Sequence, residues 1–130
     1  STAYHATREA MLSIPDAIIT AHPILAYRVE NARRQVAMRG LTSDHPRCCP
    51  LVIDDIAIAG DQHFPCIIYL REHGEAIGKC ADPDIRGDRL RWAREHNVLE
   101  DSICRSNCLD VCRAHNSRVY DLQGDGWLYD

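Results

Sequence analysis

The sequence predicts an α+β domain: N-terminal helices, a small antiparallel β-hairpin or meander, and C-terminal helices that bear cysteines. Three observations lead there. After His22-Pro23, apolar residues recur at helical spacing, and proline suits a first helical position. The middle of the chain holds Val- and Ile-rich runs punctuated by Gly and Pro, the pattern of short strands. Near the end, Cys104, Cys108 and Cys112 recur every four residues within a helix-compatible stretch.

Length and composition bound the rest. The 130 residues suit one compact domain with a core of its own. Hydrophobic content of 45% and charged content of 26% are those of a globular chain. A single Phe leaves the core to aliphatic packing. The net charge of −4 argues against general nucleic-acid binding, which needs a basic surface. No apolar run approaches the roughly 20 residues of a membrane helix, so no membrane partner is expected. The opening STAYHATREA lacks the layout of a secretion signal, and its lack of a starting Met suggests a processed chain or a piece of a longer one. Seven cysteines, an odd number, fit a reducing cytoplasm with free or metal-bound thiols better than a secreted disulfide framework.

Taken in order, residues 2–13 read as a short helix. Pro23 opens a longer one, with Leu25, Val29, Ala32 and Val36 on one stripe and Gly40 at its expected end. Residues 41–50 read as loop. Leu51 to Ala59 and Cys66 to Leu70 read as strands, Gly60-Asp61 as a turn between them, and Ala76 to Lys79 as a third short strand. Asp88 to Asn97 and Glu100 to His115 read as helices. The division expected is a helical segment 1–45, a Cys-rich metal-binding module 46–115 and an irregular tail 116–130, all within one compact unit.

The cysteines carry the chemistry. Thiolates are soft ligands, suited to zinc, copper or iron–sulfur clusters. On an unbroken helix Cys104, Cys108 and Cys112 share a face, but the first and last stand roughly 12 Å apart, too far for one compact site. Three outcomes compete: three buried core thiols, two ligating neighbours with one idle, or a broken helix that gathers all three. Of the adjacent Cys48 and Cys49, one would serve a site. Seven cysteines in this length favour a shared metal site over seven separate core thiols.

The run from Cys49 through Gly60 to Cys66 (CPLVIDDIAIAGDQHFPC) is followed by Ile77-Gly78-Lys79, Arg89-Leu90-Arg91-Trp92, Ile103-Cys104, Asn107-Cys108 and Cys112. This order resembles the SPASM and twitch domains, C-terminal extensions of radical S-adenosylmethionine enzymes, over about residues 48–115. The resemblance implies a [4Fe-4S] cluster with Cys49, Cys66, Cys108 and Cys112 as ligands. Cys104 could replace one of them, and Cys48 or Cys80 could serve instead. It implies an accessory part of an enzyme, which assists substrate binding or relays an electron beside a radical S-adenosylmethionine catalytic domain or a peptide-like substrate. The catalytic domain's own cysteine triplet, with spacings of three and two, is absent, and no complete catalytic motif is present.

The alternative is a zinc-stabilised protein-interaction module without a redox role. His45, His63 and His115 each stand three residues from a cysteine and would complete a Cys/His site. Asp54 and Asp55, adjacent on an expected strand, would face opposite ways and so make no acid–base pair. Arg86, Arg89, Arg91 and Arg94 read as a solvated basic helix face.

Overall fold

The computed structural model describes residues 8–129. It is an α+β domain whose helices surround a small three-stranded antiparallel sheet. Helix α1 is seen over 8–12; the rest of the helix expected over 2–13 lies outside the described residues. Helices α2 (Asp16–Ala21) and α3 (Pro23–Arg33) follow. Then come α4 (Leu51–Asp54), β1 (Ala57–Ala59), β2 (Gln62–Phe64), α5 (Ile67–Arg71) and β3 (Gly78–Lys79). The chain continues with α6 (Ile85–Glu95), α7 (Ser102–Asn107), α8 (Asp110–Gln123) and a 3-10 turn over Gly126–Tyr129.

Helix α3 starts at Pro23 as expected but stops well before Gly40. Gln35 adopts φ +60, its N–H bonds Ala32 O, and Val36 N–H bonds Asn31 O at 2.9 Å. This is a Schellman closure with Gln in the left-handed position glycine usually takes. Gly40, at φ +96, serves a different end: a Cβ there would meet the Arg105 carbonyl oxygen at 3.1 Å. The backbone of 38–41 therefore lies directly against the C-terminal helices.

Two expected strands are helical. Leu51 to Asp54 forms α4 after Pro50, and only Ala57–Ala59 of that run pairs as a strand. Asp54 and Asp55 accordingly leave the end of a helix, where Asp54 Oδ2 meets His115 Nε2 at 2.8 Å. Ile67 to Arg71 forms α5 with Cys66 as its N-cap. Both runs are rich in β-branched residues, whose strand preference yields to tertiary context. The sheet itself is the expected meander: β1 and β2 pair Ala57 with Phe64 and Ala59 with Gln62 across Gly60-Asp61, and β3 adds to β2.

The expected irregular tail is mostly regular. Helix α8 runs to Gln123, and Trp127 and Leu128 then turn back to pack with Ala93 of α6, with Cys48 and Tyr120 alongside. The N-terminal helices are tied to this body through Asp110, which is 1% exposed. Its Oδ2 accepts from Asn31 Nδ2 at 3.0 Å, and its Oδ1 forms an ion pair with Arg28 Nε at 3.2 Å, short of an aligned hydrogen bond. Asp110→Ala strands a half-buried guanidinium and a buried amide, so we expect a loss on the order of 3 kcal/mol in a urea titration. A change under 1 kcal/mol would contradict this anchor.

Candidate metal centre

The helix bearing the three spaced cysteines is broken. Asn107 ends α7, Cys108 and Leu109 are extended (φ −58, ψ 128 and φ −83, ψ 155), and α8 starts at Asp110. The cause is the incoming 38–41 segment, which takes hydrogen bonds at the break. Gly40 N–H bonds Cys108 O at 2.8 Å, Leu41 N–H bonds Arg105 O at 2.8 Å, and Asp110 N–H bonds Met38 O at 3.1 Å. Arg113 Nη1 adds a bond to Gly40 O at 2.6 Å. At its other end, away from the break, α7 is capped by Asp101, which accepts from Ile103 N–H at 2.8 Å.

The break wraps Cys104, Cys108 and Cys112 around one cavity of about 50 Å³. Cys49 and Cys66 face the same space from the α4 and α5 segments. All five predicted site residues therefore line one cavity, supplied by three stretches of chain. The remaining walls are largely apolar, among them Leu41, Val52, Pro65, Ile68, Trp92 and Val98. Cys48 also lines the cavity, and it packs in addition against the Ala93–Trp127–Leu128 cluster. Cys80 is not among the cavity residues; it follows β3, where its N–H bonds Asp61 O beside the hairpin turn.

Local contacts aim two of the thiols. Cys49 Sγ accepts from Asn116 Nδ2 at 3.2 Å, while Asn116 Oδ1 accepts from Leu51 N–H at 2.9 Å, so one α8 side chain fixes the start of α4. Cys66 Sγ accepts from Tyr69 N–H at 3.4 Å. Burial pushes the Cys49 thiol up to about 11, against the opposing bond from Asn116. Burial likewise raises Cys104, helped by the charge of Asp101, and raises Cys108 and Cys112, each helped by neighbouring thiols. Five thiols sharing a poorly hydrated space cannot ionise together without added positive charge. A bound metal would supply it, and thiol protons would leave as it bound.

Behind the wall formed by Tyr69 and Trp92 lies a polar network the sequence reading did not find. Tyr69 Oη donates to Asp101 Oδ2 at 2.7 Å, and His96 Nε2 meets the same oxygen at 2.6 Å. Burial works against the Asp101 charge, but the bonds from Tyr69, His96 and two backbone N–H groups outweigh it and hold the carboxyl below its ordinary range. The Trp92 and His96 rings stack 4.0 Å apart, and Gly74 leaves room for Tyr69, whose ring a Cβ would meet at 2.2 Å. The signal for Asp101 was present as an Asp at the start of a helical stretch, two residues before Ile103.

The histidines are engaged mostly elsewhere. His115 pairs with Asp54, and His45 lines the cavity with Nδ1 accepting from Thr42 N–H at 2.8 Å. Among the described residues, two groups bring three ligand atoms within 4.8 Å: His96, Asp101 and Cys104, and His63, Asp82 and Asp88. Neither is a set of cysteines. In the second, Arg89 Nη1 donates to His63 Nδ1 at 3.0 Å, so the neutral ring carries its proton on Nε2 and offers no lone pair there to a cation. Arg89 itself, expected on a solvated face, is 4% exposed. Its place four residues before buried Ala93 on α6 was the legible sign.

Comparison with protein-family models, curated proteins and solved structures returns no match.

Burial, then the charge of Arg89, lowers the pKa of His63 below its ordinary value. The unfolded chain therefore binds this proton more readily than the folded one. The stability His63 contributes is complete above about pH 6.5 and is lost as pH falls through that value toward the folded pKa. Metal-free wild type should lose more thermal stability than His63→Gln between about pH 7.5 and pH 5.5. Equal losses in the two proteins would refute the assignment.

Proposed function

We propose that this chain is an auxiliary iron–sulfur domain, holding one [4Fe-4S] cluster through four of Cys49, Cys66, Cys104, Cys108 and Cys112. The observation that carries the reading is the convergence of these five thiols on one apolar cavity through a broken helix. The choice of a [4Fe-4S] cluster over a single zinc ion rests on the resemblance to SPASM and twitch domains.

When bound, such a cluster supplies one-electron transfer or an iron site for a substrate. The chain's own residues do the rest. Asn116 and the Tyr69 N–H orient Cys49 and Cys66, the apolar walls exclude water, and the Asp101–His96–Tyr69 network stiffens the side beside Cys104. The resemblance to SPASM and twitch domains makes the partner a radical S-adenosylmethionine catalytic domain or its peptide-like substrate, in the cytoplasm. No helix among the described residues is long and apolar enough to cross a membrane.

Anaerobic reconstitution with ferrous iron and sulfide tests the reading. The expected product is brown, absorbs near roughly 400 nm and carries about four irons and four sulfides per chain. Cys66→Ser and Cys112→Ser should lose most of that iron, while Cys80→Ser keeps it. A colourless protein with one zinc, or with no metal, would overturn the proposal.

A further inference from the structure

Arg89 is a buried cation with unusual partners. All five of its N–H donors are used. Nε donates to Val52 O at 2.7 Å, Nη1 to Phe64 O at 2.9 Å and His63 Nδ1 at 3.0 Å, and Nη2 to Asp55 O at 2.7 Å and Pro65 O at 3.0 Å. Every acceptor is neutral. Among the described residues no carboxylate lies within ion-pair distance of it, although the exposed Asp55 side chain and Cys66 are close enough to act on its charge. A guanidinium removed from water needs both hydrogen bonds and a compensating negative charge, and only the first is met by these partners.

The position of the charge says where the compensation comes from. Arg89 grips the carbonyl immediately before Cys66 and the α4 carbonyl three residues after Cys49. It therefore ties together the two segments that deliver thiols to the cavity from outside the broken helix. We infer that Arg89 is a positioning residue for the cluster: its five-bond fork sets the Cys49 and Cys66 segments, and its unpaired charge favours the reduced, more negative cluster. This rests on the iron–sulfur reading above. The outer shell of a cluster sets its potential through charge, hydrogen bonds and burial, and a buried cation bonded to the carbonyl before Cys66, close enough to act on that thiol, acts strongly because little solvent screens it.

Two full-length variants separate the fork from the charge. Replacing Arg89 by citrulline keeps the planar shape and three of the five N–H donors but removes the charge and sets an oxygen in place of one terminal nitrogen. It is made by joining residues 1–79 to a synthetic 80–130 peptide at Cys80, which lies outside the cavity. Arg89→Lys keeps the charge and loses the fork. Iron content and the midpoint potential from an anaerobic titration followed by absorbance are the readouts. The citrulline protein should hold more iron than the lysine protein and show a more negative midpoint than wild type. The lysine protein should hold less iron, with the midpoint of its loaded fraction near wild type. Iron retained with lysine but lost with citrulline would overturn the inference, because the fork would then not be what sets the two thiol-bearing segments. An unchanged midpoint in the citrulline protein, or a lysine midpoint shifted as far as citrulline's, would overturn it. Wild type that takes up no iron defeats the cluster reading instead.

Discussion

The structure depends on where the 38–41 backbone lies. Helix interiors spend their own carbonyls on their own N–H groups, and a helix through Cys104, Cys108 and Cys112 would hold the outer sulfurs roughly 12 Å apart along its axis. Met38, Gly40 and Leu41 prevent that by taking up backbone groups at Asp110, Cys108 and Arg105. A glycine is needed for the approach, since the nearest carbonyl leaves no relaxed space for a Cβ at position 40. The break turns a stripe of thiols into an arc.

The same junction anchors the rest of the chain. Asp110, the first residue of α8, receives Asn31 and Arg28 from α3, so the N-terminal helices are held to the fold at the residue that restarts the broken helix. On the other side of the cavity Arg89 binds the α4 and β2–α5 segments into one body. Two buried polar centres thus fix the two halves of the thiol set. Such centres are costly to desolvate and stabilise only when their partners are in place, which suits them to specifying one arrangement.

Much of this was legible in the residues. Cysteine count and spacing pointed to a shared site, the Pro23 start and the Gly60-Asp61 turn marked two elements, and the arithmetic of the four-residue spacing already required a break if all three thiols were to meet. The remainder was hidden for physical reasons. Leu51–Ile53 and Ile67-Ile68 carry strand-like side chains, yet their helices are set by Pro50 and by the Cys66 cap, local signals that β-branched residues mask. Gln35 ended α3 in a conformation usually left to glycine, so Gly40 drew the boundary too late. Arg89 read as solvated because charge alone says nothing of the five carbonyl and imidazole acceptors brought to it from 24 or more residues away. Asn116 and Asp101 act through contacts only the assembled fold creates.

The most direct measurement is anomalous diffraction from anaerobic crystals at the iron and zinc absorption edges. The account predicts iron-edge density inside the cavity bounded by Cys49, Cys66, Cys108 and Cys112, with none at the zinc edge. Density at the zinc edge there, or iron bound only at the surface, would contradict it.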